Sequence, residues 1–305
     1  MKNEEKNTNP LLCDPETGFC ELPSNTEQNS AEFYKADKPV KILYFTDPIC
    51  SSCWGIEPQL RKLKLEYGNH IEIEYHMGGL LPNWSYNSGG ISKPSDVAHH
   101  WDEVSDYYDM PIDGDVWLED PLDSSYPPSI AFKAAQLQDK TKAVLFVREL
   151  REMVFLKKMN IAKTTNILLA AEYVGLNADQ LSKDMEGPGR ELFEEDLSLA
   201  RQFGVRGFPT MFFLNDEGER ELVYGSKPYA EYERAIRKVF PSALKTSYSG
   251  DWKSLFAVYG SLTAKEFSEL SGTPRTESEQ VLDQLAEQKK LEKLTTKNGS
   301  LWIRI

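Results

Sequence analysis

The chain has 305 residues, enough for about two domains of roughly 150 residues and for a core that needs no disulfide or metal scaffold. Its 35 Lys and Arg residues against 48 Asp and Glu residues give a formal net charge of −13. That sign argues against a general nucleic-acid or anionic-membrane binder, because both need a positive field. Hydrophobic residues at 40% with 11% aromatics indicate a globular chain.

The N-terminal residues 1–36 are charged and polar, and they predict an extended arm without the apolar stretch of an export signal. The sequence also has no window of about 18 uncharged apolar residues, the length that crosses a bilayer. We therefore expect a cytoplasmic protein, in a compartment where thiols are kept reduced. The four cysteines form two local pairs, Cys13 with Cys20 in the arm and Cys50 with Cys53 behind it. Such pairs in a reducing compartment are more often redox-active, catalytic or metal-binding than structural.

The first half of the structured region predicts a strand, a helix and a second strand. Val40–Phe45 is an apolar run, residues 51–67 carry apolar side chains at helical spacing, and Ile71–Tyr75 alternates apolar and polar residues. Two strands joined by a crossover helix form a parallel pair. Residues 78–128 are rich in Gly, Pro, Asn, Ser and Asp and predict mostly loop, whereas 129–204 have a helical pattern.

The second half predicts a hairpin, a helix and a separate terminal segment. Met211–Leu214 and Glu221–Tyr224 flank a turn, and a helix follows over about 229–240. Two short helical patterns at 263–271 and 276–290 then precede a terminal strand, Leu301–Ile305. The predicted division is an arm (1–36), the first part of an α/β domain (37–91), a mainly helical insertion (92–204), the second part of that domain (205–241) and a helical, winged-like C-terminal segment (242–305).

Cys50-Ser51-Ser52-Cys53 lies where the first strand meets the first helix. A helix N-terminus stabilises a thiolate through unpaired N–H groups and the positive end of the helix dipole, and it lowers thiol pKa values to roughly 3.5–7.5. We expect Cys50 to be the exposed nucleophile and Cys53, one turn later, to be the buried resolving thiol. Zinc knuckles share the same spacing, so the motif alone leaves a metal site open.

The order of the motifs resembles the thioredoxin superfamily, and the helical insertion resembles its DsbA-like branch. Trp54 follows the cysteine pair, and Gly204-Val205-Arg206-Gly207-Phe208-Pro209-Thr210 introduces the later hairpin. The resemblance implies an α/β fold of thioredoxin (DsbA) type. It also implies that Pro209 is a cis proline that faces the cysteines, keeps metal off the thiols and contacts substrates. DsbA-like oxidants carry a histidine where this chain has Ser52, which argues against a strong oxidant.

The whole chain is similar to the SpxH (YjbH) adapter family of low-GC Gram-positive bacteria. It shares an acidic DsbA-like core, a cysteine-containing arm, the motif Asp-Pro-x-Cys-x-x-Cys-Trp (Asp47 to Trp54) and an added C-terminal segment. The resemblance implies a cytosolic adapter that binds the stress transcription regulator Spx and promotes its degradation by the ClpXP protease. In some relatives the arm binds zinc through His and Cys. This arm has Cys13 and Cys20 but no histidine, at most half of a tetrahedral site, so we expect no cofactor and sub-stoichiometric zinc.

Each of the two cysteine pairs has more than one interpretation. Cys50 and Cys53 form either a thiol–disulfide oxidoreductase centre, with Pro209 shaping the substrate groove, or a redox-inert remnant on a binding scaffold. A glutathione-linked transferase or isomerase of the DsbA-like group is the third interpretation. Cys13 and Cys20 are interpreted as free thiols in a flexible arm, as a stress-sensing disulfide or as a site of thiol-based zinc release.

Three further features have a simple structural interpretation. His99-His100 beside Trp101 predict a surface loop, because no ligand cluster accompanies them. The acidic stretch 102–123, with its interspersed aromatics, predicts a solvated lid or a docking surface for a basic segment. The helix over 276–290 carries four carboxylates and would repel phosphates, so the C-terminal segment predicts protein contact or packing rather than DNA binding.

Overall fold

The computed structural model describes residues 13–14, 19–21, 38–85 and 93–305, the first two ranges through their backbone alone. Most of the predicted arm (1–36) lies outside the described residues. Two short strands of the arm are described, Cys13–Asp14 (β1) and Phe19–Glu21 (β2). They pair with each other and, through β2, with a strand of the main domain.

A four-stranded sheet forms the centre of the main domain, in the spatial order β4-β3-β6-β7. The strands of this domain are Val40–Thr46 (β3), Ile71–Met77 (β4), Gly207–Phe208 (β5), Thr210–Leu214 (β6) and Arg220–Tyr224 (β7). β3 pairs in parallel with β4 and antiparallel with β6. Every residue of β3 is buried, as expected of a strand covered on both faces. The predicted parallel pair and the later hairpin are confirmed.

Ten described helices accompany this sheet, and seven of them belong to the inserted segment. They are Ser51–Gly55 (α1), Glu57–Tyr67 (α2), Pro94–Tyr108 (α3), Val116–Glu119 (α4), Tyr126–Gln138 (α5), Lys140–Leu156 (α6), Thr164–Tyr173 (α7), Ala178–Glu186 (α8), Pro188–Gln202 (α9) and Tyr229–Val239 (α10). Helices α3 to α9 make up the helical insertion. Within the described ranges, no helix combines the length and the apolar composition needed to cross a membrane.

The prediction that residues 78–128 are mostly loop missed two helices, α3 and α4, which lie within them. Helix α3 buries a stripe of apolar side chains on one face, Val97, Trp101, Val104 and Tyr108. At its start, the Asp96 carboxylate accepts a hydrogen bond from the Lys93 backbone N–H at 3.3 Å. The polar residues between these apolar positions concealed the helical period in the sequence.

The C-terminal unit folds around a second small core. Its elements are Trp252–Val258 (α11), Ser261–Thr263 (β8), Ala264–Ser271 (α12), Arg275–Glu287 (α13), Leu291–Thr296 (β9) and Gly299–Arg304 (β10), with the sheet order β8-β10-β9. Leu262 and Trp302 are fully buried in this core. The two predicted helices and the terminal strand are confirmed, whereas α11, β8 and β9 were not predicted. The unit consists of a helix, a strand, two helices and a hairpin, which is the order of elements in a winged helix.

Buried charges fix the C-terminal unit to the main domain. Glu266 on α12 has no exposed surface, and its carboxylate accepts hydrogen bonds from two guanidinium nitrogens of Arg148 at 2.8 and 3.1 Å. Arg61 Nε lies 3.2 Å from the same carboxylate. Arg61 also donates a hydrogen bond of 2.6 Å to the carbonyl of Ser261. Main-domain arginines from α2 and α6 thus converge on one buried acid of the C-terminal unit.

The acidic stretch 102–123 takes part in the same interface. The Lys297 ammonium lies 2.6 Å from Asp102 and 2.8 Å from Asp115, and Arg275 lies 2.7 Å from Asp109. These three carboxylates therefore face basic residues of the C-terminal unit. Trp117, one of the interspersed aromatics, is buried. These residues of the stretch thus form an internal contact rather than the predicted solvated lid, and docking of a basic partner segment stays a prediction.

Candidate functional site around Cys50 and Cys53

The two cysteines of the main domain form a disulfide at the carboxyl end of β3. Their Cα atoms are 5.2 Å apart, within the range that a disulfide spans. Cys50 is the N-cap of α1, and its Sγ atom accepts a hydrogen bond from the Cys53 backbone N–H at 3.1 Å. The predicted position at a strand-to-helix junction is confirmed, and this N–H is oriented to stabilise a Cys50 thiolate after reduction.

The expectation that Cys50 is exposed is wrong, because Cys50 and Cys53 both have no exposed surface. Helix α3, which the sequence did not predict, packs over α1. The Tyr108 hydroxyl donates a hydrogen bond of 3.1 Å to Ser52 Oγ, and a Cβ added at Gly55 would overlap the Tyr108 ring. The serine that stands in place of the DsbA-like histidine is therefore a buried contact between two helices.

Trp54 connects the cysteine pair to the domain interface. Its ring is fully buried and stacks on Phe155 with the ring centroids 5.5 Å apart. Its indole N–H donates a hydrogen bond of 3.0 Å to the carbonyl of Pro111. The guanidinium carbon of Arg148 lies 4.3 Å from the Trp54 ring centroid, so the arginine that binds Glu266 also covers the residue after Cys53.

Asp47, three residues before Cys50, is a buried acid, and its sequence pattern predicted no role for it beyond the family motif. Its carboxylate accepts hydrogen bonds from the backbone N–H groups of Ile49 and Leu80 at 3.1 and 2.8 Å and from the Ser125 hydroxyl at 3.0 Å. Burial raises the pKa of Asp47 to about 6, although these hydrogen bonds and Arg151 oppose the shift. Asp47 therefore ties the start of the cysteine loop to two neighbouring segments.

The raised pKa of Asp47 has a consequence for stability. The folded protein holds a proton on Asp47 to a higher pH than the unfolded chain, so stability falls as the pH rises from 3.8 through about 6. We expect the unfolding free energy of the wild type, relative to Asp47→Asn, to fall by about 3 kcal/mol over that window. Urea denaturation of both proteins at several pH values measures this difference, and other carboxylates cancel in it. Parallel pH profiles of the two proteins would contradict the assignment.

Pro209 lies beside the end of β3, in the position that the resemblance implies. The peptide bond between Phe208 and Pro209 is cis, as expected. Thr210 is the register partner of Phe45, so Pro209 lies level with Thr46, four residues before Cys50. The carbonyl of Pro209 accepts a hydrogen bond from the Gly225 backbone N–H at 2.9 Å. The fold thus brings Cys50, Cys53 and Pro209 to one edge of the sheet.

The arm reaches the same edge through backbone pairing. Strand β2 pairs antiparallel with β5, with Cys20 opposite Phe208 and Glu21 opposite Gly207. Strand β1 pairs with β2 on the other side, with Cys13 opposite Cys20. The two cysteine pairs are far apart in the sequence. The backbone places Cys20 opposite the residue that precedes Pro209, at the end of the sheet where Cys50 begins α1.

A second polar cluster lies between β4 and α9. His76 Nδ1 is 2.7 Å from the carboxylate of Asp196, which also binds Lys133 Nζ at 3.0 Å and the Met77 backbone N–H at 2.8 Å. Burial lowers the pKa of His76, but Asp196 and Glu74 outweigh this effect, so that the pKa lies above its usual value. The cluster borders a cavity of about 410 Å³ and joins the insertion to the sheet.

The histidine pair at 99–100 lies on α3 and not in the predicted surface loop. His99 is exposed, with Nε2 3.3 Å from Glu103, whereas His100 is buried. Among the residues that the structure describes, no three His, Cys, Asp or Glu side chains are grouped as metal ligands would be.

Known proteins match most or nearly all of the chain. A protein of Halalkalibacterium halodurans named ClpXP adapter protein SpxH is 33% identical over 308 aligned residues, which cover 99% of each chain. The chain belongs to the SpxH family. Family members of the same name from Shouchella clausii and Bacillus subtilis are 30% and 29% identical and cover 95% and 87% of the chain. The SpxH resemblance seen in the sequence is thus confirmed, and it extends to the arm and the C-terminal unit.

The main domain has the thioredoxin-like fold predicted from its motifs. The family model Thioredoxin_5, described as "Thioredoxin", matches residues 43–234. A putative protein disulfide isomerase from Nitrosomonas europaea is similar with a TM-score of 0.56 at 19% identity, covering 67% of this chain and 97% of that one. The cytosolic disulfide reductase DsbM from Pseudomonas aeruginosa gives a TM-score of 0.51 at 22% identity, covering 65% and 99%. At these identities the likeness establishes the fold of this SpxH-family member and not its reaction.

Proposed function

We propose that this SpxH-family member is a cytoplasmic adapter that binds the transcription regulator Spx and enhances its degradation by the ClpXP protease. The observation that carries the proposal is the 33% identity to a ClpXP adapter protein SpxH over 99% of each chain. Because this match includes the arm and the C-terminal unit, it is more specific than the thioredoxin-like fold, which enzymes and binding proteins share.

The geometry around the cysteines supports an adapter more than an enzyme that turns over external substrates. Cys50 is fully buried, whereas a nucleophile that attacks disulfides in solution has to be accessible. An adapter raises the local concentration of its client at the protease or selects a client conformation that the protease engages. Neither route consumes thiols or needs a metal cofactor. The buried contacts of Glu266 hold the main domain and the C-terminal unit together, so the two units can bind a client as one body.

A thiol–disulfide oxidoreductase is the second candidate function. The position of Pro209 beside the end of β3 and the disulfide at the start of α1 favour it. In that reaction Cys50 attacks the substrate disulfide, Cys53 resolves the mixed disulfide and Pro209 shapes the substrate groove. Because Cys50 is buried, the segments that cover it would first have to move before it could attack a substrate.

Reconstituted degradation separates the two functions. With ClpXP, ATP and Spx, we expect the wild-type chain to accelerate the loss of Spx, followed by gel densitometry. We expect Cys50→Ala/Cys53→Ala to accelerate it equally, because binding does not use the thiols. Cys13→Ala/Cys20→Ala is the matched control for the loss of two thiols elsewhere. Absence of acceleration by the wild type would refute the adapter function, and a loss confined to Cys50→Ala/Cys53→Ala would favour a redox role.

A further inference from the structure

The arm places a cysteine beside the loop where a thioredoxin-like domain carries its cis proline. Cys20 is the register partner of Phe208, the residue that precedes Pro209. Pro209 in turn lies level with the end of β3, and Cys50 follows that end within four residues. The backbone therefore brings Cys20 and Cys50 to the same end of the sheet, although 29 residues of sequence separate them.

The backbone pairs the two arm cysteines with each other. Cys13 and Cys20 are register partners in the antiparallel pair of β1 and β2. Residues directly opposite in such a pair have Cα atoms about 4.5–5.5 Å apart. That separation falls within the roughly 4.4–6.8 Å over which a disulfide forms without backbone movement. The arm is thus a candidate dithiol or disulfide in its own right.

The burial of the Cys50–Cys53 disulfide favours a reaction partner from within the chain. Both cysteines have no exposed surface, so a thiol from solution reaches them only after a rearrangement. The arm is already paired at the neighbouring edge through β2 and β5. A tethered thiol also acts at a high effective concentration, which rises when its attachment holds it near the target.

We propose that the Cys13–Cys20 pair is the internal thiol–disulfide exchange partner of Cys50–Cys53. The Cys20 thiolate attacks Cys50 Sγ, forms the Cys20–Cys50 disulfide and displaces Cys53 as a thiolate, which takes up a proton. The Cys13 thiolate then attacks Cys20 Sγ, forms the Cys13–Cys20 disulfide and releases Cys50 as a thiolate. The arm loses two electrons, the Cys50–Cys53 pair gains them, and no external oxidant is consumed. The reverse exchange returns the disulfide to α1.

This exchange gives the arm a redox state that follows the state of the main domain. In the oxidised arm, the disulfide would cross-link β1 to β2; in the reduced arm, backbone pairing alone would hold these two strands together, while β2 pairs with β5 in both states. The inference does not depend on the adapter function, since it concerns the order in which four sulfurs of one chain react.

Trapping the mixed disulfide tests the register directly. Cys13→Ala/Cys53→Ala retains Cys20 and Cys50, and its matched control Cys20→Ala/Cys53→Ala retains Cys13 and Cys50. The full-length reduced variants receive one equivalent of 2,2′-dithiodipyridine, and non-reducing peptide mass spectrometry locates the cross-link. We expect a Cys20–Cys50 disulfide at least about ten-fold more abundant than Cys13–Cys50, because β1 is one strand further from β5 and effective concentration falls with distance.

The concentration dependence supplies the second readout of the same experiment. We expect the rate of Cys20–Cys50 formation to be independent of protein concentration, as in a reaction within one chain. Equal yields of the Cys20–Cys50 and Cys13–Cys50 disulfides would show that the pairing of Cys20 with Phe208 does not direct the reaction, and this result would overturn the proposal. Cross-links confined to dimers, or no cross-link in either variant, would overturn it as well. None of these outcomes bears on acceleration of Spx degradation, which is measured separately.

Discussion

Replacing Glu266 with alanine will lower the free energy of unfolding by about 3–5 kcal/mol, the cost of breaking a buried ion pair from one side. Glu266 has no exposed surface, and its two carboxylate oxygens bind Arg148 and Arg61. One oxygen also accepts the backbone N–H of Thr263 at 2.8 Å, which closes the capping box at the start of α12. Alanine leaves the partially buried arginine charges without this acid.

The effect is expected to be large because the partners have few alternatives. Arg148 keeps a hydrogen bond of 2.7 Å to Glu152 and its contact with Trp54, but both guanidinium nitrogens that bind Glu266 lose their acceptor. The surroundings are protein rather than water, so solvent replaces the lost contacts poorly. Urea denaturation followed by circular dichroism measures the loss.

A neighbouring acid on the same helix provides the control. Glu269 pairs with Lys265 at 2.9 Å, and both side chains are about one-third exposed. We expect Glu269→Ala to change stability by less than about 0.5 kcal/mol, as exposed substitutions generally do. Equal costs for Glu266→Ala and Glu269→Ala would show that the buried cluster does not carry the interface.

The pH dependence of Glu266 gives an independent check. Burial alone would raise the pKa of Glu266, but Arg148 and Arg61 outweigh it and hold the pKa below its usual value. The acid therefore stabilises the fold fully above 4.5, its ordinary pKa, and this stabilisation is lost as the pH falls through its lower folded pKa. We expect the stability difference between wild type and Glu266→Ala to shrink in that acidic range.

The sequence was sufficient to predict the elements whose signal is local. The apolar run of β3, the alternation of β4 and the Cys50-to-Cys53 spacing each depend on neighbouring residues alone. The cis proline at Pro209 followed from a family motif and not from periodicity. Together these features fix the thioredoxin-like core around which the remaining segments pack.

What the sequence left open depends on contacts between distant segments. The buried carboxylate of Asp47 accepts hydrogen bonds from Leu80 and Ser125, which come from other parts of the chain. The contacts of α1 with Tyr108 depend on α3, whose apolar stripe is interrupted by polar residues. The pairing of Cys20 with Phe208 joins residues 188 positions apart, and no local pattern indicates it. Residue types alone do not reveal which of these long-range partners meet.

The second large effect is expected at Gly78, which follows β4 and supports the loop before Pro209. An added Cβ at Gly78 would overlap the ring carbons Cζ and Cε1 of Phe208, which is fully buried. The backbone of Gly78 donates a hydrogen bond of 2.8 Å to the carbonyl of Thr46, so it is held in place. We expect Gly78→Ala to lower the free energy of unfolding by about 1–3 kcal/mol, the usual cost of overpacking a core.

A double-mutant cycle separates this steric clash from other effects of a glycine replacement. In a Phe208→Ala background the ring is gone, so Gly78→Ala should cost less than about 0.5 kcal/mol, leaving a coupling energy of about 0.5–3 kcal/mol. Gly260→Ala is the control, because a Cβ there meets no atom within 4 Å. Additive costs of Gly78→Ala and Phe208→Ala would show that the ring does not limit the site. Coupled costs would mean that Gly78 is required for Phe208 to occupy the position at which the backbone of the arm pairs with the main domain.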